Sequence, residues 1–161
     1  MAAPQRLKEE PVARLATQLR TLRTNGDGAR VMIVEDEPFI AMAIEDALAD
    51  DGFEVCGVYA AEAPAIAAAR TLRPAFAVVD VRLAPGDGRR VARVLSEECG
   101  SVVILASAED IATLGGAGAT GVLSKPYDAT LVGTALVTAA RWMAGLHVDH
   151  VPARLSPLAA G

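Results

Sequence analysis

Five short apolar runs, each followed by a longer stretch with helical spacing, constrain this chain more than any other feature of its sequence. The runs are Val31–Val34, Glu54–Tyr59, Phe76–Val79, Val102–Leu105 and Val122–Leu123. The stretches that follow them are Pro38–Asp50, Ala61–Leu72, residues 89–98, Glu109–Leu114 and Ala129–Met143, the last capped by Asp128. In Pro38–Asp50, Ile40, Ala43, Ile44 and Leu48 share one helical face. Runs with little polar alternation read as strands buried on both faces, and helical crossovers between them require a parallel sheet. Right-handed crossovers then place helices on both sides of it. Turn residues punctuate the pattern at Asp51-Gly52, Pro74, Ala84-Pro85-Gly86-Asp87-Gly88 and Gly115-Gly116. The reading is one α/β domain, a doubly wound (βα)5 parallel sheet over residues 30–144, preceded by residues 1–29 and followed by a tail, 145–161.

The two flanks differ in character. Val12, Leu15, Leu19 and Leu22 are spaced for one helical face, and Pro11 suits the first turn of that helix. Thr24-Asn25-Gly26-Asp27-Gly28 breaks the pattern and serves as a linker. A lone helix of this length is marginal in water, so its stripe needs a surface. That surface is its own domain, a second copy in a homodimer built through the N-terminal helix, or the helix of a partner. After Met143 only 18 residues remain, with Pro152 and Pro157 among them, and no helix-turn-helix fits there. Output through protein contact is the expectation.

Charge is unevenly spread. Residues 1–30 carry six basic and three acidic side chains, whereas residues 31–128 carry seven basic and sixteen acidic ones. An acidic domain lacks the cationic face that nucleic acid needs, but it suits a hard cation held by carboxylates. No apolar stretch reaches membrane-spanning length without charge or breakers, and no signal peptide is recognisable, so the expectation is a cytoplasmic protein without membrane or nucleic-acid partners. Cys56 and Cys99 have neither zinc-site nor redox-motif spacing. With 52% hydrophobic residues the chain can build a core without such staples.

Polar residues stand just past four of the apolar runs. Glu35 and Asp36 follow the first, Asp80 the third, Ser107 the fourth and Lys125 the fifth. In an open parallel sheet the C-terminal strand ends share one edge, where ligands bind. Three carboxylates gathered there repel one another unless protons or a cation intervene, and Mg²⁺ takes oxygen ligands while keeping waters for phosphate. Lys125 adds a point charge suited to phosphate, Ser107 a hydroxyl donor, and Asp80 a carboxylate able to attack phosphorus. Singly, each of these acids reads as a helix cap or a solvated loop residue. Together they read as a phosphoryl site. Arg89, Arg90 and Arg93, after the Asp80 loop, read as a solvated helix face where an acidic partner can dock.

The segments Val31-Met32-Ile33-Val34-Glu35-Asp36-Glu37-Pro38, Val78-Val79-Asp80-Val81, Leu105-Ala106-Ser107-Ala108 and Ser124-Lys125-Pro126 resemble the signatures of two-component response regulator receiver domains. The Glu35-Asp36-Glu37-Pro38 start is also similar to receivers of the general-stress type in alphaproteobacteria. The resemblance implies a flavodoxin-like sheet of strand order 2-1-3-4-5. It implies transfer of a phosphoryl group to Asp80 from a sensor histidine kinase or a histidine phosphotransfer protein, and signalling to a downstream protein partner. It assigns Mg²⁺ to Asp36, Asp80 and the backbone carbonyl of Arg82, with Glu35 acting through water. Ser107 and Lys125 would contact the phosphoryl group, and the Lys125–Pro126 bond would be cis.

Two departures stand out. Many receivers place an aromatic switch three residues before the lysine, where this chain has Val122. The interval from Ser107 to Lys125 is short and contains Gly115, Gly116, Gly118 and Gly121, so the fourth helix should be short, displaced or mobile. Two other readings stand beside the phosphoacceptor. One is a degenerate receiver serving as a binding scaffold. The other is an aspartyl-phosphate hydrolase of the haloacid-dehalogenase type, which usually has a second Asp two residues after the nucleophile; here that position is Arg82.

Overall fold

The computed structural model describes residues 29–158. The N-terminal stripe Val12–Leu22 lies outside them. Five parallel strands form the sheet: β1 (Arg30–Val34), β2 (Glu54–Tyr59), β3 (Phe76–Asp80), β4 (Val102–Ser107) and β5 (Gly121–Ser124). Among the described residues four α-helices accompany them: α1 (Pro38–Asp50), α2 (Glu62–Leu72), α3 (Gly88–Glu97) and α4 (Val132–Met143). A sixth strand, β6 (Leu155–Pro157), pairs antiparallel with β5, giving the order β2-β1-β3-β4-β5-β6. The expected flavodoxin-like order 2-1-3-4-5 is therefore present, with one strand added.

Side-chain alternation along each strand feeds two separate cores. Val31 and Ile33 of β1 join Phe76, Val78, Val102 and Ile104 under α1 and α4, around Ile44, Leu48, Val132 and Leu136. Met32 and Val34 point the other way, with Ala77, Val79, Val103 and Leu105, toward α2 and α3. There Ala65 and Ala69 present only methyl groups, which lets α2 lie close to the sheet. Both faces of the sheet are thus covered, which is why its inner strands are apolar at nearly every position.

Two regions depart from the regular pattern. Between β4 and β5 the chain makes only a 3₁₀ turn, Ile111–Thr113, in place of a fourth crossover helix. Gly116 and Gly118 lie at φ +75° and +74°, a left-handed conformation that ends any right-handed helix. Leu114 and Ala117 nonetheless bury in the core, and the Arg93 guanidinium donates to the Gly116 carbonyl at 3.1 Å. The segment is short but anchored.

The second departure is the tail, which the sequence reading left without structure. The Ser124 amide donates to the Arg154 carbonyl at 2.9 Å, and the Leu158 amide to the Thr120 carbonyl at 3.0 Å. Leu155 is buried, and Pro157 sits where an edge strand tolerates a missing donor. Gly121 permits this approach: a Cβ there would meet the Ser156 carbonyl oxygen at 3.2 Å and Leu155 at 3.3 Å. Trp142 packs on the same core from α4.

Candidate functional site

The C-terminal ends of β1, β3, β4 and β5 bring the expected residues to one edge of the sheet. Asp80 is the last residue of β3, Ser107 the last of β4, and Lys125 follows β5 directly. Strand register sets their levels: Asp80 lies opposite Ala106, and Ser107 opposite Ser124. Carboxylate oxygens of Glu35, Asp36 and Asp80 lie within 4.8 Å of one another.

Both Asp80 oxygens are held. Lys125 Nζ donates to Oδ2 at 2.6 Å, and the Arg82 amide donates to Oδ1 at 2.9 Å. Asp36 Oδ2 accepts from the Ala84 amide at 3.2 Å, which ties β1 to the loop after β3. Glu35 Oε1 accepts from the Glu37 amide at 3.0 Å. Ser107 Oγ accepts from the Glu109 amide at 2.9 Å, which leaves the hydroxyl hydrogen to donate elsewhere. The Lys125–Pro126 peptide is cis, as is Ala84–Pro85. Gly88 allows α3 to begin against β3, for a Cβ there would stand 1.8 Å from the Asp80 carbonyl oxygen.

The electrostatics follow from burial. Glu35 is 2% exposed, and burial, with the adjacent Asp80 charge, pushes its carboxyl up to about 7 against the pull of the Glu37 amide and Lys125. Burial works against the Lys125 ammonium, but the hydrogen bond and charge of Asp80, with Glu35 and Glu37, outweigh it and hold its pKa above the ordinary lysine value. One ammonium facing three carboxylates leaves the cluster under-neutralised. Its donors are all hard oxygens, so the residues present fit a hard divalent cation.

Several contributors escape a reading of the sequence alone. Glu62, at the start of α2, accepts from the Asp87 amide at 2.8 Å and pairs with Arg90 at 3.1 Å, bracing the loop after Asp80. Glu109 pairs with Arg89 and approaches Arg82 at 3.5 Å. Arg89 is therefore half-buried in its pair with Glu109, while Arg90, though paired with Glu62, and Arg93 stay exposed on the solvated face of α3. Tyr127 lies two residues past Lys125; its hydroxyl is buried with no hydrogen-bond partner among the described residues, and burial and the charges of Glu35 and Asp80 push the phenol well above its usual range. No local motif marks these residues, because each partner comes from a distant segment. Val122, at the position of the expected switch, is wholly buried in β5.

Comparison with known proteins converges on one family. The family model described as "Response regulator receiver domain" matches residues 31–136. The photosynthetic apparatus regulatory protein RegA of Cereibacter sphaeroides is 41% identical over 118 residues, covering 69% of this chain and 62% of that protein. RegA of Rhodovulum sulfidophilum is 40% identical over 70% of this chain and 63% of its own length. The chain thus spans less than two thirds of these curated relatives. The signal receiver domain of a modulated diguanylate cyclase from Desulfovibrio desulfuricans superposes with TM-score 0.65 at 30% identity, covering 73% of this chain and 97% of that one. The response regulator PhyR from Brucella abortus gives 0.63 at 26% identity, covering 81% of this chain and 54% of its own. With the acid, hydroxyl and lysine positions all at one sheet edge, this chain belongs to the response regulator receiver domain family.

Proposed function

We propose that Asp80 accepts a phosphoryl group from a phosphohistidine on a sensor histidine kinase or histidine phosphotransfer protein, and that the chain then signals through contacts with a downstream protein. The observation that carries this reading is Asp80 itself: a buried carboxylate at a strand end, bonded to Lys125 at 2.6 Å and grouped with Glu35 and Asp36. Asp36, Asp80 and the Arg82 carbonyl would hold Mg²⁺, with Glu35 acting through water. When bound, Mg²⁺ neutralises the carboxylates and the charge of the incoming phosphoryl oxygens.

The chain's own residues do the positioning. An Asp80 oxygen forms the new O–P bond as the P–N bond of the phosphohistidine breaks. The electron pair leaves on the imidazole nitrogen, which takes a proton from solvent and returns to neutral histidine. Lys125 passes from Asp80 to a phosphoryl oxygen, and the Ser107 hydroxyl donates to another. Catalysis is confined to the chain's own phosphorylation and dephosphorylation and consists mainly of placement and charge neutralisation.

Intact-mass analysis with a small-molecule phosphodonor tests this. The expected result is a gain of one phosphoryl group that requires Mg²⁺ and is lost in Asp80→Asn. Labelling that persists in Asp80→Asn overturns the assignment, and a protein that neither binds Mg²⁺ nor takes the label is a scaffold instead.

A further inference from the structure

Helix α1 carries an apolar stripe on its outer side. Phe39 is 85% exposed and Met42 57% exposed, with Ala43 exposed beside them. Positions 39, 42, 43, 46 and 50 fall on one helical face, so the stripe continues into Asp46 and Asp50. Its apolar end borders a groove of about 460 Å³ lined by Phe39, Ile40, Ala43, Pro126, Tyr127 and Lys125. Scattered exposed apolar residues need no explanation, but Phe39, on the rim of this groove, and Met42, one turn on and facing the side of Glu35 and Asp36, form a continuous patch.

The chain itself holds a complement. Residues 11–23 number thirteen, as α1 does, which gives each about 20 Å as a helix. Residues 11–23 contain Arg14, Arg20 and Arg23 and no acid; α1 contains Glu45, Asp46 and Asp50 and no base. The stripe of Val12, Leu15, Leu19 and Leu22 matches the apolar one on α1. Chain direction agrees as well. Ala29 packs in the same core cluster as Leu48 and Phe53, at the C-terminal end of α1. The five residues 24–28 span at most about 17 Å. A helix over 11–23 laid back along α1 from there would run in the same direction, with Arg20 and Arg23 beside Asp46 and Asp50, and Val12 and Leu15 beside Phe39 and Met42.

We propose that residues 11–23 dock as an amphipathic helix on the outer face of α1 within the same chain, covering Phe39 and Met42. The groove it borders includes Lys125, so the helix competes with any protein that brings a phosphoryl group to Asp80; that consequence rests on the function proposed above. The docking itself does not.

Methyl and aromatic nuclear Overhauser spectroscopy on the full chain tests the docking independently of phosphorylation. Cross-peaks are expected from the Val12 and Leu15 methyls to the Phe39 ring and the Met42 methyl, unchanged on dilution and absent between chains in a mixture of labelled and unlabelled protein. The double variant Asp46→Arg/Asp50→Arg, altered only at exposed positions, should lose them. Adding Arg20→Asp/Arg23→Asp should bring them back. Their absence from the unaltered chain overturns the proposal, as does their appearance only between chains, which gives the stripe to a second copy. Cross-peaks that survive the double reversal overturn the charge register.

Discussion

Lys125 is the cation bonded to Asp80, and the charge balance at the sheet edge turns on it. Replacing it with Met leaves a buried carboxylate uncompensated beside two others. The partial exposure of the lysine moderates the loss to about 1–3 kcal/mol in the metal-free protein. Urea unfolding should show that loss, and Mg²⁺ should recover part of it. Glu35 sets a pH dependence of the opposite kind from most carboxylates. Its folded pKa, about 7, lies above the ordinary value of 4.5, so the folded state binds the extra proton between those limits. Metal-free stability should fall as pH rises across that window and level off above it. Mg²⁺ affinity should climb over the same interval, because binding favours the ionised carboxyl. Glu35→Gln should flatten both curves in denaturant and metal titrations. The five principal site residues were legible because each is a polar side chain standing directly after an apolar run. Glu62, Glu109 and Tyr127 were not, since their roles come from partners or burial supplied by other segments of the fold.

At the level of elements, the junction between β3 and α3 is the tightest in the site. Gly88→Ala would drive a methyl group into the Asp80 carbonyl, with its oxygen 1.8 Å away, its carbon 2.8 Å and the Val81 Cα 3.0 Å. We expect a loss of about 3 kcal/mol or more, read as a lowered thermal midpoint, together with impaired labelling as Asp80 shifts. Strand β5 tolerates volume no better. Val122 is fully enclosed with Leu105 and Leu114, so Val122→Phe should overpack the core and cost about 1–3 kcal/mol rather than restore a rotating aromatic. Strands were readable as short apolar runs without polar alternation, and helices wherever the period of 3.6 ran for several residues. The segment after Ser107 was readable only in part. Its glycines announced a weak helix, but the reduction to one 3₁₀ turn depends on Leu114 and Ala117 finding the core.

For the molecule as a whole, the least legible feature was β6. Three residues, one of them proline, carry no periodic signal, and their strand exists because Gly121 leaves room for a neighbour. Gly121→Val should prise that neighbour away, and hydrogen exchange should then speed at the Ser124 and Leu158 amides, whose acceptors lie across the β5–β6 pair. The pairing also has a mechanical side. The Arg154 carbonyl holds the Ser124 amide at the end of β5, and the next residue in the chain is Lys125, whose ammonium grips Asp80. A load applied beyond residue 158 is therefore transmitted, through one strand and a single peptide unit, to the lysine of the site. The C-terminal segment is a handle, and tension on it is felt at the sheet edge where Asp80 sits.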